Sequence, residues 1–155
     1  MADTRQHVLV VGPKQAGLDR VAPMLRRADF AVHTVEPSPF LHDLVLSTAF
    51  ELVIVTYPLE EISLDQLMQT IRNDGSACHN AGLLLLAEPD RLDEAQSRVD
   101  LGANRAVCTD WNESRLWRAI WMTNGFFAWV RHYRMPIRGL TAPITARPFK
   151  KLFPS

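Results

Sequence analysis

Three runs of the chain are apolar without alternation, and they restrict its fold more than any other feature. They are Val8-Leu9-Val10-Val11, Leu52-Val53-Ile54-Val55 and Leu83-Leu84-Leu85-Leu86-Ala87. A strand with one wet face alternates apolar and polar residues, whereas a strand covered on both faces does not. The runs are short and bounded by turn residues, Gly12-Pro13 after the first and Pro58 after the second, so they read as strands rather than buried helices. Phe30–Val35 and Arg105–Thr109 add two further strands, giving strands at His7–Val11, Phe30–Val35, Leu52–Thr56, Gly82–Ala87 and Arg105–Thr109. Strands buried on both faces and alternating with helices make an α/β chain: a doubly wound five-stranded parallel sheet in a three-layer α/β/α sandwich. In such a sheet a site lies at the carboxyl ends of the strands.

The intervening segments carry helical spacing. Between Gln15 and Arg27, Leu18, Val21, Ala22, Met24 and Leu25 share one face, and Pro23 is expected to kink or split that helix. Ser38 with Pro39 is expected to cap and open a helix through Phe40, Leu41, Leu44, Val45 and Ala49. Ser63–Arg72 places Leu64, Leu67, Met68 and Ile71 at helical spacing. Asp90 is expected to cap a helix with Leu92, Ala95 and Val99 inward, stopped by Gly102. Asp110 or Asn112 caps the last helix, where Leu116, Trp117, Ile120 and Trp121 form one inward stripe.

Two stretches, Glu51-Leu52-Val53-Ile54-Val55 continued by Pro58-Leu59 and Leu101-Gly102-Ala103-Asn104-Arg105-Ala106-Val107, resemble the response-regulator receiver (CheY-like) family. The resemblance spans residues 6–123 and implies a flavodoxin-like fold. It also implies a chemistry: an acidic pair after strand one for magnesium, and an aspartate after strand three that accepts the phosphoryl group. A Thr or Ser after strand four and a lysine after strand five would contact the phosphoryl oxygens. The matching positions here are Gly12 and Pro13, Thr56, Ala87 and Thr109. Magnesium dehydrates reluctantly and wants carboxylates, which Gly-Pro does not offer. A threonine hydroxyl forms no acyl phosphate, and without lysine or metal the transferring charge goes unneutralised. The expectation is a degenerate pseudo-receiver with no catalytic residues, no cofactor and no enzyme activity.

Other motifs point nowhere firmer. Gly12-Pro13-Lys14-Gln15-Ala16-Gly17 fits neither the dinucleotide fingerprint nor the P-loop. Cys78 and Cys108 form no disulfide framework, and histidines 7, 33, 42, 79 and 132 show no zinc-ligand spacing, so no metal is expected. No apolar run reaches the ~18 residues of a membrane span, and the N-terminus lacks the pattern of a secretory signal. A cytoplasmic protein is expected.

The formal net charge of zero conceals a division. Residues 1–112 hold nine Lys/Arg and sixteen Asp/Glu, whereas residues 113–155 hold eight Lys/Arg and one acid, Glu113. The natural boundary is Asn124-Gly125, giving a receiver-like domain at 1–123 and an aromatic, basic extension at 124–155. Either a new short helix starts there or the last helix runs through Gly125, at a cost of about 1 kcal/mol. Trp121, Phe126, Trp129, Arg131, Tyr133, Arg134 and Arg138 are the candidate binding residues, because the aromatic groups beyond Gly125 point in too many directions for one domain to bury. The expected partner is a signalling protein, docked on the last strand–helix face and the extension, and the same segment could mediate a homodimer. The alternative is a cyclic dinucleotide gripped by the arginines; the acidic domain opposes nucleic acid.

Overall fold

The strands form where the apolar runs predict, and their burial explains why. In the computed structural model, which describes residues 6–12 and 18–134 and leaves out the side chains of 18, 19, 101 and 124–134, five strands pair in parallel. They are β1 (His7–Val11), β2 (Ala31–Val35), β3 (Leu52–Tyr57), β4 (Gly82–Ala87) and β5 (Arg105–Cys108), in the order β2-β1-β3-β4-β5. Every residue of β3 and β4 is buried. At about 1.5–3 kcal/mol for each large apolar side chain removed from water, these two central strands anchor the domain. The edge strand β2 runs from buried Ala31 to exposed His33 and Thr34, because only half of it is covered.

Alternate residues of each strand feed two cores. Val8, Val10, Ile54, Leu84, Leu86 and Val107 pack with helix α1 (Leu18–Arg27) and helix α5 (Glu113–Arg134). Leu9, Val11, Val53, Val55, Leu83 and Leu85 pack with helices α2 (Phe40–Ser47), α3 (Leu64–Arg72) and α4 (Leu92–Ser97). The result is the doubly wound, flavodoxin-like sandwich expected from the sequence.

Several local expectations are corrected. Helix α1 is not split by Pro23, which lies inside it. Burial of Val21, Ala22, Met24 and Leu25 on the flanking positions holds the segment helical despite the missing N–H. The helix closes with Asp29 in the left-handed region (φ 69°), Asp29 N–H donating to Arg26 O and Phe30 N–H to Leu25 O at 3.1 Å. That is a Schellman ending, sealed by Phe30 and Leu25 within one core. Ser38 makes no side-chain cap to α2, which starts at Phe40 and stops at Ser47. Asp90 does not cap α4; it sits in a 3-10 turn, Pro89–Arg91, and α4 itself has only six residues before a second 3-10 turn, Val99–Leu101. Ser63 does cap α3, accepting from Gln66 N–H, and Asn112 caps α5, its Oδ1 accepting from Arg115 N–H at 2.8 Å. Helix α5 continues without interruption through Asn124-Gly125 to Arg134, so one helix crosses the expected domain boundary.

Candidate functional site

The β2-β1-β3-β4-β5 order brings the carboxyl ends of β1, β3, β4 and β5 side by side. Gly12 follows β1 and its N–H donates to Val35 O at 3.1 Å. Thr56 is the penultimate residue of β3, opposite Leu86, and Tyr57 stands opposite Ala87 at the end of β4. Ala87 is in turn opposite Cys108, and Thr109 N–H donates to Ala87 O at 2.8 Å. Four of the five sequence-nominated strand-end residues, Gly12, Thr56, Ala87 and Thr109, therefore do converge; Pro13 lies outside the described residues.

What converges is closed and nearly neutral. Thr56 is 3% exposed, and its Oγ1 has no hydrogen-bond partner among the described residues. Gly12 leans directly on it: a Cβ at Gly12 would lie 2.5 Å from Thr56 Cγ2 and closer still to Oγ1, so no larger residue fits without displacement. Ala87 is fully buried and offers only a methyl group. Thr109 directs its hydroxyl to Glu88, Oγ1 to Oε2 at 3.2 Å. A carboxylate thus stands where the resemblance implies groups that hold a phosphoryl oxygen.

The surrounding charges are spent on the scaffold. Arg20 of α1 donates from both terminal nitrogens to backbone carbonyls, Thr109 O at 2.5 Å and Trp111 O at 2.7 Å, pinning the β5–α5 turn. Arg115 stacks over the Trp111 ring at 3.8 Å, and Arg27 pairs with Glu113 at 2.6 Å. Beyond β3, the Tyr57 hydroxyl donates to Glu94 of α4, and Arg98 pairs with Asp65 of α3 at 2.8 Å. Burial, then the hydrogen bond and charge of Glu94, raise the Tyr57 pKa above its usual value. Burial also raises Cys108, with Asp110 adding to it. Among the described residues no three His, Cys, Asp or Glu side chains group to hold a metal ion.

Of the binding residues nominated from sequence, Trp121 is corrected. It is 7% exposed and packs in the α1/α5 core beside Leu116, Trp117 and Ile120, as its place in the inward stripe dictates. It is not a surface anchor. The side chains of Phe126, Trp129, Arg131, Tyr133 and Arg134, and all of Arg138, lie outside the described residues. On the outer side of α5 the described residues include Met122, 61% exposed, and the exposed Arg118.

Sequence reasoning missed an anchor at the opposite end of the sheet. Arg72, the last residue of α3, donates to four acceptors: Gly102 O, His79 O, Ala81 O and Asn104 Oδ1, at 2.9, 2.9, 2.7 and 3.1 Å. Asn104 Oδ1 also accepts from Leu83 N–H at 2.8 Å. Desolvation lowers the Arg72 pKa. A depression of about 530 Å³ opens beside this cluster, lined also by Asn80, Asp100 and Thr123. The available signal was positional: an arginine ending a helix next to exposed carbonyls.

This geometry defines a receiver-type flavodoxin-like fold, and solved structures agree. A chemotaxis response regulator of Vibrio cholerae superposes with a TM-score of 0.65 at 15% identity, covering 77% of this chain and 98% of its own. The receiver domain of a Pseudomonas aeruginosa sensor histidine kinase, solved with magnesium in its active-site cleft, gives 0.65 at 13% identity over 77% and 98%. The signal receiver domain of an HD-domain protein from Pseudomonas fluorescens gives 0.65 at 18% identity over 83% and 98%. No protein-family model matches the chain, and no curated protein matches it by sequence.

No helix among the described residues is long and apolar enough to cross a membrane.

Proposed function

We propose that this chain is a receiver-fold signalling regulator that takes up no phosphoryl group and works by protein–protein contact in the cytoplasm, without catalysis of its own. The observation that carries the reading is Thr56: a hydroxyl, 3% exposed and walled off by Gly12, occupies the place where a phosphoryl acceptor must be both acidic and open. Three further features support it. The Ala87 side chain offers no hydrogen bond, Thr109 is engaged by Glu88, and Arg20 is committed to two backbone carbonyls. A dianionic group placed here meets a carboxylate rather than a cation, which is repulsive in the low dielectric of a strand-end cleft.

Contact is assigned to the outer face of β5–α5, with Arg118 and Met122, and to the extension at 124–155. An exposed methionine flanked by arginine suits an interface, where both residue types are enriched. Two measurements test the proposal. Incubation with acetyl phosphate and magnesium leaves the intact mass unchanged; a stoichiometric phosphoryl adduct refutes the inactive strand end. Removing residues 125–155 abolishes recovery of partners from a lysate while circular dichroism still reports a folded domain. A folded deletion that retains every partner refutes the assignment of the surface.

A further inference from the structure

The five histidines show no ligand spacing along the chain, yet the sheet brings two of them into contact. His33 lies opposite Leu9 in the β1–β2 register, which puts it diagonally across from His7 on the neighbouring strand. His7 Nδ1 and His33 Nε2 are 3.1 Å apart, with ring centroids separated by 5.3 Å and planes inclined by 20°. The two nitrogens therefore face each other across the gap and share one proton. Phe50 packs edge-on against the His33 ring, 5.6 Å between centroids, and limits its rotation. His7 lies on β1, where Val8 and Leu9 beside it are fully buried, and His33 on the edge strand β2. His33 itself is exposed, so the pair is open to solvent.

We propose that His7 and His33 form a two-imidazole site for a late first-row divalent metal ion, of which Cu²⁺ binds most tightly. Metal–imidazole bonds measure about 2.0–2.1 Å, so two of them at roughly 100° place their nitrogens about 3.1 Å apart, the separation the sheet already imposes. Rings that now point at one another need only tilt outward for both lone pairs to meet one ion. The proton between them moves to the far nitrogen of its own ring, leaving one lone pair on each coordinating nitrogen and no net proton release from a neutral pair. Imidazole favours copper, nickel and zinc over magnesium and calcium, and the Irving–Williams order places Cu²⁺ first. Among the described residues no third His, Cys, Asp or Glu side chain groups with the pair, so they supply two ligands to the ion. A bound ion ties the edge strand β2 to β1.

The full-length chain is titrated with Cu²⁺ and, separately, Zn²⁺, alongside His7→Gln, His33→Gln and the control His42→Gln. The expected result is one Cu²⁺ per chain with nitrogen hyperfine structure in its electron paramagnetic resonance spectrum. Affinity falls at least about tenfold in either pair variant and is unchanged in the control, as loss of one of two chelating donors requires. The melting temperature rises with metal concentration in the wild type, because the ion binds the folded pair preferentially. Far-ultraviolet circular dichroism confirms that each variant is folded before titration. Absence of binding at about a hundredfold excess of Cu²⁺ over protein overturns the proposal, as does equal affinity in wild type and both pair variants.

Discussion

Replacing Thr56 by valine separates the strand-end reading from its rivals. The two side chains have nearly the same shape, so the substitution exchanges one hydroxyl for one methyl in a pocket already formed. Thr56 Oγ1 is buried and has no hydrogen-bond partner among the described residues, while the residue as a whole is 3% exposed. Burying a hydroxyl without a hydrogen bond costs about 1–3 kcal/mol on mutational scales, and valine removes that penalty while suiting a central strand. The expected gain is about 1–2 kcal/mol. At roughly 2–4 °C per kcal/mol for a domain of this size, the melting temperature should rise by about 3–6 °C. Differential scanning calorimetry reads it, and urea titration at fixed temperature checks it independently. Thr56→Asp is the opposite arm: an unpaired carboxylate in the same pocket should cost at least about 3 kcal/mol. Neither variant should gain a phosphoryl adduct. If Thr56→Val destabilises the protein, the hydroxyl is serving a polar partner and the pocket is not the dry, closed one argued above.

Three further perturbations probe the scaffold, two of them beside that pocket and one at the opposite end of the sheet. Gly12→Ala should cost about 2 kcal/mol through overpacking against Thr56, and about 1 kcal/mol less in a Thr56→Ala background, because that change removes the two nearest atoms; additive urea midpoints would show that the two residues do not press on each other. Arg72→Met should lower stability by about 3 kcal/mol, since four acceptors lose a charged donor that is only half-buried. Arg72→Lys should recover less than half of that loss, because a point charge cannot span the fork, and a wild-type-like melt for either variant would count against the anchor. Tyr57 supplies a pH test. Its pKa is raised above 10.0 in the folded protein, so the folded state holds the proton more tightly than the unfolded chain. The resulting stability is complete below pH 10 and disappears as pH climbs through the raised value. Between pH 9 and 11 the wild type should therefore lose stability faster than Tyr57→Phe; parallel curves from the two proteins would contradict the Tyr57–Glu94 hydrogen bond.

The sheet was legible because its signal is one-dimensional. Strands buried on both faces need uninterrupted apolar residues, and Val8–Val11, Leu52–Val55 and Leu83–Ala87 supply them wherever they sit in three dimensions. Helix α3 was legible for a similar reason, its apolar spacing at Leu64, Leu67, Met68 and Ile71 lying within ten residues. Helix α4 was not. Six residues cannot sustain an isolated helix, and α4 persists because Ala95 is buried against the sheet and Glu94 receives the Tyr57 hydroxyl from another layer. The Arg72 anchor draws on acceptors 7 to 32 positions away, and the His7–His33 pair on partners 26 apart, so neither leaves a local pattern. Trp121 shows the reverse error. Its spacing already put it in the inward stripe, and the structure buries it there.

The strand ends tie these points to function. A parallel sheet is stabilised by what lies between its helices, not by the residues that emerge at its carboxyl edge, so those residues can change freely while the fold is kept. Gly12, Thr56, Ala87 and Thr109 are instead engaged within the scaffold. One packs against its neighbour, one is a buried methyl, and one closes a hydrogen bond with Glu88. On the proposed reading, residues of this kind hold neither a metal nor an anion, and the strand ends form a packed surface rather than an electrostatic cleft. Arg20 carries the same logic onto the β5–α5 turn. In a cleft that received a phosphoryl group, an arginine at this distance from Thr109 would serve the ligand; here its two terminal nitrogens hold Thr109 O and Trp111 O instead. On the proposed reading, a turn fixed in this way offers a partner one constant β5–α5 surface.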